Sequence, residues 1–324
     1  MSEEHVKFMN DSHYYEGEKV SFMKMGLKIA GLIFKPENFA EDVKAGKKYP
    51  AIVVTHPGGG VKEQVASLYG WNLSKKGYIA IAFDASYQGE SEGTPRYLED
   101  PTSRVEDIRA AVDYLTSLPY VDNERIGAMG VCAGGGYTMS AIQTDIRIKA
   151  AAGISSWNVG SWIRDGLPPE GHCVKMEEAL KTAAECRTKE ANGEEITYVG
   201  YVPNSPEEFT DETPVIMKEA SDYYRTSRCA YPTSVNKMAL QSLDRLCAFD
   251  AFQYIDTVSP RPILLIIGSK ADTKFFSEDA YARANEPKEL YVVEGATHVD
   301  LYDKPEFVPQ VVEKLTEFFD KNIK

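Results

Sequence analysis

Positive charge is in short supply in this chain: 36 Lys and Arg stand against 49 Asp and Glu, a net charge of −13 over 324 residues. That balance argues against a nucleic-acid backbone or an anionic membrane surface as partner. Long apolar runs are missing as well. The longest, at 78–83 and 263–268, fall far short of the roughly 20 residues a membrane helix needs. The start, Met-Ser-Glu-Glu-His, lacks the basic segment and apolar stretch of a secretory signal, so a cytoplasmic protein is expected. Cysteine is scarce, five in all without a C-x-x-C pair, which argues against both a disulfide scaffold and a zinc site of recognisable spacing. There is no internal repeat and no low-complexity tract.

What is present is an ordinary globular composition, 43% hydrophobic and 26% charged, long enough for one large domain or two modest ones. Residues 19–25 and 27–34 carry β-favouring residues on either side of Gly26 and predict an antiparallel pair. From Tyr49 onward, short apolar runs alternate with helical stretches, the pattern of a mostly parallel, doubly wound sheet covered on both faces. The predicted strands are 51–55, 78–83, 126–131, 148–154, 263–267 and 290–293, and the predicted helices 62–75, 102–118, 134–143, 277–285 and 308–322. In the second helix, Val105, Ile108, Val112 and Leu115 fall on one face. The alternation breaks between about residues 157 and 255, too long a stretch for a structureless loop. Helical patterns at 175–189 and 235–246, with a loop-like part at 197–214, predict a largely helical inserted cap. The expected organisation is a core domain of residues 1–157 and 256–324 and a cap of residues 158–255.

One segment carries chemistry. Gly130-Val131-Cys132-Ala133-Gly134 joins a predicted strand to a predicted helix, the G-x-S-x-G nucleophile elbow with cysteine as the nucleophile. Glycines on either side let the strand and helix meet closely, and the helix start brings amides and a positive dipole end to the sulfur. Gly89-Glu90-Ser91-Glu92-Gly93 matches the serine pattern literally. No strand leads directly into it, Thr94-Pro95 follow where a helix should, and its two glutamates would oppose an anion. Downstream, strand ends lead to Asp272 and then His298, in the order nucleophile, acid, histidine. The expected triad is Cys132, His298 and Asp272, with Asp250 and Asp256 as reserve acids. The loop His56-Pro57-Gly58-Gly59-Gly60 offers unencumbered amides, so Ala133 with Gly58 forms the expected oxyanion hole, Gly59 being the alternative one position on, and His56 is expected to order the loop. His56, Trp157 and Trp162 are candidate pocket residues, and Tyr198, Tyr201, Tyr223, Tyr224 and Tyr231 add aromatic surface in the insertion. His172 and Cys173 adjoin, but nothing at ligand spacing completes a metal site.

On these motifs the chain resembles the dienelactone hydrolase branch of the α/β-hydrolase superfamily, over about residues 19–143 and 255–322. A similar His-Pro-Gly-Gly-Gly segment occurs in bacterial hydrolases and fungal polyketide acyltransferases. The resemblance implies an α/β-hydrolase fold and an acyl-enzyme mechanism on esters, lactones or thioesters, with no metal or organic cofactor. Dienelactone hydrolases proper are compact and uncapped, so the insertion sets this chain apart, and their substrate is not transferred to it. The expected activity is cysteine-dependent acyl hydrolysis of a small substrate, with acyl transfer from the same intermediate as the alternative. A non-catalytic ligand-binding homologue is a further reading, and a peptidase the least favoured. The expected partner is a small-molecule acyl substrate, with neither nucleic acid nor membrane; a homodimer is left open.

Overall fold

A computed structural model describes residues 17–166 and 176–324. Its centre is an eight-stranded sheet: β1 (Glu18–Lys24), β2 (Leu27–Phe34), β3 (Tyr49–Thr55), β4 (Ile79–Phe83), β5 (Val121–Val131), β6 (Ala150–Ile154), β9 (Ile263–Gly268) and β10 (Lys288–Val293). The spatial order is β1-β2-β4-β3-β5-β6-β9-β10. The expected antiparallel pair is present: Met25 and Gly26, both at positive φ, turn β1 into β2 with Lys24 opposite Leu27. Two left-handed residues match the twist of a two-residue hairpin. β2 also runs antiparallel to β4, and from β4 to β10 every pairing is parallel.

Because β3, β4, β6 and β9 are buried along their whole length, they read as continuous apolar runs rather than alternating ones. α1 (Phe39–Lys44) precedes β3, and α2 (Val65–Lys75) connects β3 to β4. α3 (Pro101–Ser117) crosses back to β5, α4 (Ala133–Thr144) leads to β6, and α9 (Lys274–Arg283) joins β9 to β10. α3 starts where the Asp100 side chain accepts from the amides of Thr102 and Ser103 with proline in the first turn. The predicted face of Val105, Ile108, Val112 and Leu115 is buried, each side chain stabilising by about 1.5–3 kcal/mol relative to exposure. The last helix, α11 (Val308–Ile323), buries Val311, Leu315, Phe318 and Phe319, and Phe319 packs where a Cβ on Gly127 of β5 would stand.

The connections place the site. The chain leaves β3 for β4 on one side and later returns to β5 on the other, so the loops after β3 and β5 open a crevice at the carboxyl ends of the strands. Over that crevice lies the segment between β6 and β9. It contains α5 (Val159–Asp165), α6 (Met176–Ala191), β7 (Tyr198–Val199), α7 (Val215–Arg225), β8 (Met238–Ala239) and α8 (Ser242–Cys247). Ile163, Ala179, Ala183, Met238, Leu243 and Leu246 form a small core of their own.

Two parts of this segment differ from expectation. The helix predicted at 235–246 is confined to α8, because Asn236 has φ 56° and bonds Val202 through both its amide oxygen and nitrogen, steering the chain into the β7–β8 pair. Conversely, α7 lies where no helix was expected, and buries Ile216, Ala220, Tyr223 and Tyr224 at helical spacing.

Candidate active site

The β5–α4 junction holds Cys132 at φ 58° and ψ −126°, a left-handed conformation that costs a non-glycine residue roughly 1–3 kcal/mol. Backbone contacts hold it there. The Cys132 amide donates to Ile154 O of β6 at 2.9 Å, and its carbonyl accepts from the amides of Gly135 and Trp157. A Cβ on Gly130 would lie 2.1 Å from Gly134 O, and one on Gly134 would lie 2.4 Å from Thr55 O. The flanking glycines therefore let β5, α4 and the end of β3 approach within backbone contact. Ser91, by contrast, is buried; its hydroxyl donates to Asp84 O and accepts from the Ala30 amide, tying the post-β4 loop to β2.

Around the Cys132 sulfur, burial pushes the thiol up to about 11; the Tyr302 hydroxyl, the amides of Ala133 and Gly58, and the more distant Arg104 oppose that rise. Of the two glycines nominated in the loop after β3, Gly58 is the one whose amide faces the sulfur. Gly59 has φ 70°, accepts the Ser234 hydroxyl at its carbonyl and packs under the Tyr201 ring.

His56, also a candidate pocket residue, does not line the cavity and takes the loop-ordering place expected of it. It is fully buried beneath the loop, with Nδ1 donating to Pro57 O (2.7 Å) and Nε2 accepting from the Ala85 amide (3.1 Å). Arg104 donates to both its carbonyl and Nε2. Burial and the Arg104 charge hold His56 well below the usual histidine range, so it orders the loop as a neutral ring.

His298 follows β10 and is buried. Its Nδ1 lies 2.5 Å from Thr273 Oγ1, its Nε2 lies 3.2 Å from the Tyr302 hydroxyl, and the Trp157 ring packs edge-on against it. Burial pushes it down to about 3. The expected Asp272 partner is absent: its carboxylate accepts from the Ile216 amide at 3.1 Å, in the first turn of α7. Pro214 leaves α7 without a capping side chain of its own, and Asp272 fills that role from outside. The physical reason lies in solvation. Asp272 stays at a partly exposed edge while the neighbouring neutral Thr273 enters the dry interior, where an unpaired carboxylate is costly. The reserve acid Asp250 is engaged with Asn158, the Phe252 amide and Arg283.

Cys132 opens on a cavity of about 300 Å³ between the sheet and the inserted segment. Trp157 and Trp162, both expected there, line it and meet edge to face, and Val159, Leu243 and Leu246 extend the apolar wall. Ile216, Met217, Ala220 and Tyr224 of α7 form the opposite wall; their amphipathic helical spacing is the sequence signal for it. The polar residue Glu99 also lines the cavity, accepting from the hydroxyls of Tyr137 and Tyr201 at 2.7 Å, with Arg104 Nε 3.5 Å away. His172 and Cys173 lie outside the described residues.

The sequence profile of the dienelactone hydrolase family matches residues 31–158, which include the elbow. YcjY, an uncharacterized protein of Escherichia coli (strain K12), is 40% identical over 309 residues, 94% of this chain and 99% of its own. The crystal structure of hypothetical protein PA2218 from Pseudomonas aeruginosa matches with a TM-score of 0.87 at 35% identity, over 99% of this chain and 98% of that one. The α/β hydrolase GrgF from Penicillium sp. sh18 shares the fold, with a TM-score of 0.78 at 20% identity over 95% of this chain and 99% of its own. A Penicillium polyketide transferase of that name is 23% identical over 286 residues, 85% of this chain and 86% of its own. By its profile, its strand order and this full-length similarity, the chain belongs to the dienelactone hydrolase family of α/β hydrolases.

Proposed function

We propose that this protein cleaves a small, uncharged carboxylic ester, lactone or thioester through a covalent acyl-enzyme on Cys132. Its family is one of ester-bond hydrolases. The observation that carries the finer reading is the convergence of two fixed amides, Gly58 and Ala133, on the Cys132 sulfur at the floor of an apolar cavity. Preorganised donors of this kind stabilise an oxyanion without reorganising during reaction.

In this reading the sulfur attacks the carbonyl carbon, the carbonyl π pair moves onto oxygen, and that oxygen takes over the two amides. The thiol proton passes to His298, whose Nδ1–H is held by Thr273. Collapse expels the leaving group, which takes the proton, and an acyl thioester remains. Water, deprotonated by His298, then releases the acid and returns the thiol. With the thiol raised to about 11 and the imidazole lowered to about 3, the resting pair is neutral at pH 7, so proton transfer waits for the acyl group. The apolar walls favour an uncharged aliphatic or aromatic acyl part.

Acyl transfer from the same intermediate is a second reading. The inserted segment covers the cavity, and a covered thioester is shielded from water; a polyketide transferase is among the relatives. A binding protein without turnover is less economical, because the elbow and the histidine are both in place.

The test is intact-protein mass after mixing with p-nitrophenyl esters, thioesters and lactones of graded chain length, for the wild type, Cys132→Ala and Ser91→Ala. A transient acyl adduct and turnover lost only in Cys132→Ala are expected. Turnover that survives Cys132→Ala, or its absence from every substrate, overturns the proposal. Release of acyl product to an added alcohol or amine in preference to water identifies the transferase.

A further inference from the structure

No hydrogen bond joins Cys132 to His298 directly among the described residues. Between them stands Tyr302, four residues after His298 on the short helix α10 (Asp300–Asp303). Its hydroxyl lies 3.2 Å from His298 Nε2 and against the Cys132 sulfur. The nucleophile and its base are thus linked through one phenol oxygen.

The geometry points to Tyr302 as a catalytic proton relay between Cys132 and His298. This inference rests on the acyl-enzyme reading above. As the sulfur attacks, its proton moves to Tyr302 Oη while the Tyr302 proton moves to His298 Nε2. The sulfur electron pair forms the S–C bond, the phenol ends neutral, and the charge separation consists of the oxyanion and the imidazolium. On collapse the sequence reverses: His298 Nε2–H returns a proton to Tyr302, and Tyr302 passes its own to the departing oxygen or sulfur. No oxidant, metal or further reactant is needed.

Three features fit this role. Thr273 Oγ1 holds Nδ1, which leaves the Nε2 lone pair directed at Tyr302. The Tyr302 ring is clamped edge-on by Tyr223 (5.1 Å) and Tyr224 (6.5 Å), so its hydroxyl has little freedom. Burial raises the phenol well above its usual range, so it remains a proton donor at any working pH. The other polar groups around the pair are Tyr224 from α7, Arg104 with its Glu99 partner from the α3 side, and Ser155, whose hydroxyl donates to the His298 carbonyl; Asp272 is held by the Ile216 amide. None of these bridges sulfur and imidazole.

The test uses Tyr302→Phe, which keeps the ring packing, with its melting temperature compared to that of the wild type. Two readouts separate relay from scaffold. In the first, alkylation of Cys132 by iodoacetamide is followed by peptide mass across pH 7–11, where no acyl substrate is needed. Loss of the hydroxyl should shift the profile to higher pH and slow alkylation about tenfold at a fixed pH, the equivalent of one pKa unit. In the second, acylation by a p-nitrophenyl ester should fall about 100-fold in kcat with KM nearly unchanged, in the range of a lost acid–base group. The solvent-isotope proton inventory should also change from curved to linear, as two moving protons become one. Thr273→Val should lower kcat and leave the alkylation profile in place. An unshifted profile, or a Tyr302→Phe enzyme as fast as the wild type or faster, overturns the relay. If no ester turns over but the alkylation profile shifts as stated, the acyl reading fails and the Tyr302–thiol contact stands.

Discussion

The two walls of the cavity are built in different ways. On one side, the elbow is closed by backbone against backbone: β5, β6 and α4 meet around Cys132 with glycines wherever a Cβ would collide. On the other, α5, α7, α8 and the two-residue β7–β8 pair present side chains from short elements with a small core. The first arrangement leaves the Cys132 backbone no room to shift; the second fills space and can be repacked. Under the proposed function this difference assigns chemistry and selectivity to separable parts of the chain, and substitutions on either wall should show it.

The largest effect is expected from Cys132→Ala, which should abolish the acyl adduct and reduce turnover by about 1,000-fold or more, with substrate binding by the apolar wall retained in a fluorescence titration. Gly134→Ala should follow, because its Cβ meets the carbonyls of Thr55 and His56 at 2.4 and 2.5 Å. Urea unfolding should show a loss of about 3 kcal/mol, in the range of overpacking a rigid site. On the cap side, Leu246→Ala should cost a comparable or smaller amount, about 2–3 kcal/mol, and move acyl preference toward longer chains by about tenfold without changing the alkylation profile of Cys132. An equal loss of adduct formation in Leu246→Ala would break the separation.

Smaller effects probe the histidine and the acid. His298 is depressed in the folded chain from 6.5 to about 3. Its unfolded form therefore binds more protons below pH 6.5, and the stability it contributes is present above pH 6.5 and lost as pH falls toward 3. His298→Gln should flatten the fall in melting temperature between pH 7 and pH 4. Asp272→Asn should lower kcat less than about tenfold, far from the roughly 10,000-fold loss when a triad acid is replaced by its amide, because its carboxylate meets α7 and not His298. A triad-sized loss would show that Asp272 turns to His298 during turnover.

Much of the fold was legible in order of chain. The antiparallel pair, the six parallel strands and the face of α3 follow from apolar runs and periodicity, because burial on both sides of a strand or one side of a helix writes itself into the pattern. The elbow was legible for a related reason: strand, glycine, cysteine, glycine and helix are adjacent in sequence. The cap was not. Asn236 ended a helix by bonding Val202, and α7 draws its start from Asp272, contacts between residues far apart in the chain.

The same division runs through the site. Sequence alone located the cysteine at the β5–α4 turn, the histidine after β10 and the glycine loop after β3, since each is set by neighbours along the chain. Only the tertiary structure decided that Thr273, not Asp272, meets His298, and that Tyr302 stands between thiol and imidazole. The first of these rests on which of two adjacent groups stays at a partly exposed edge and which is buried, a difference of desolvation that no local pattern of residues records.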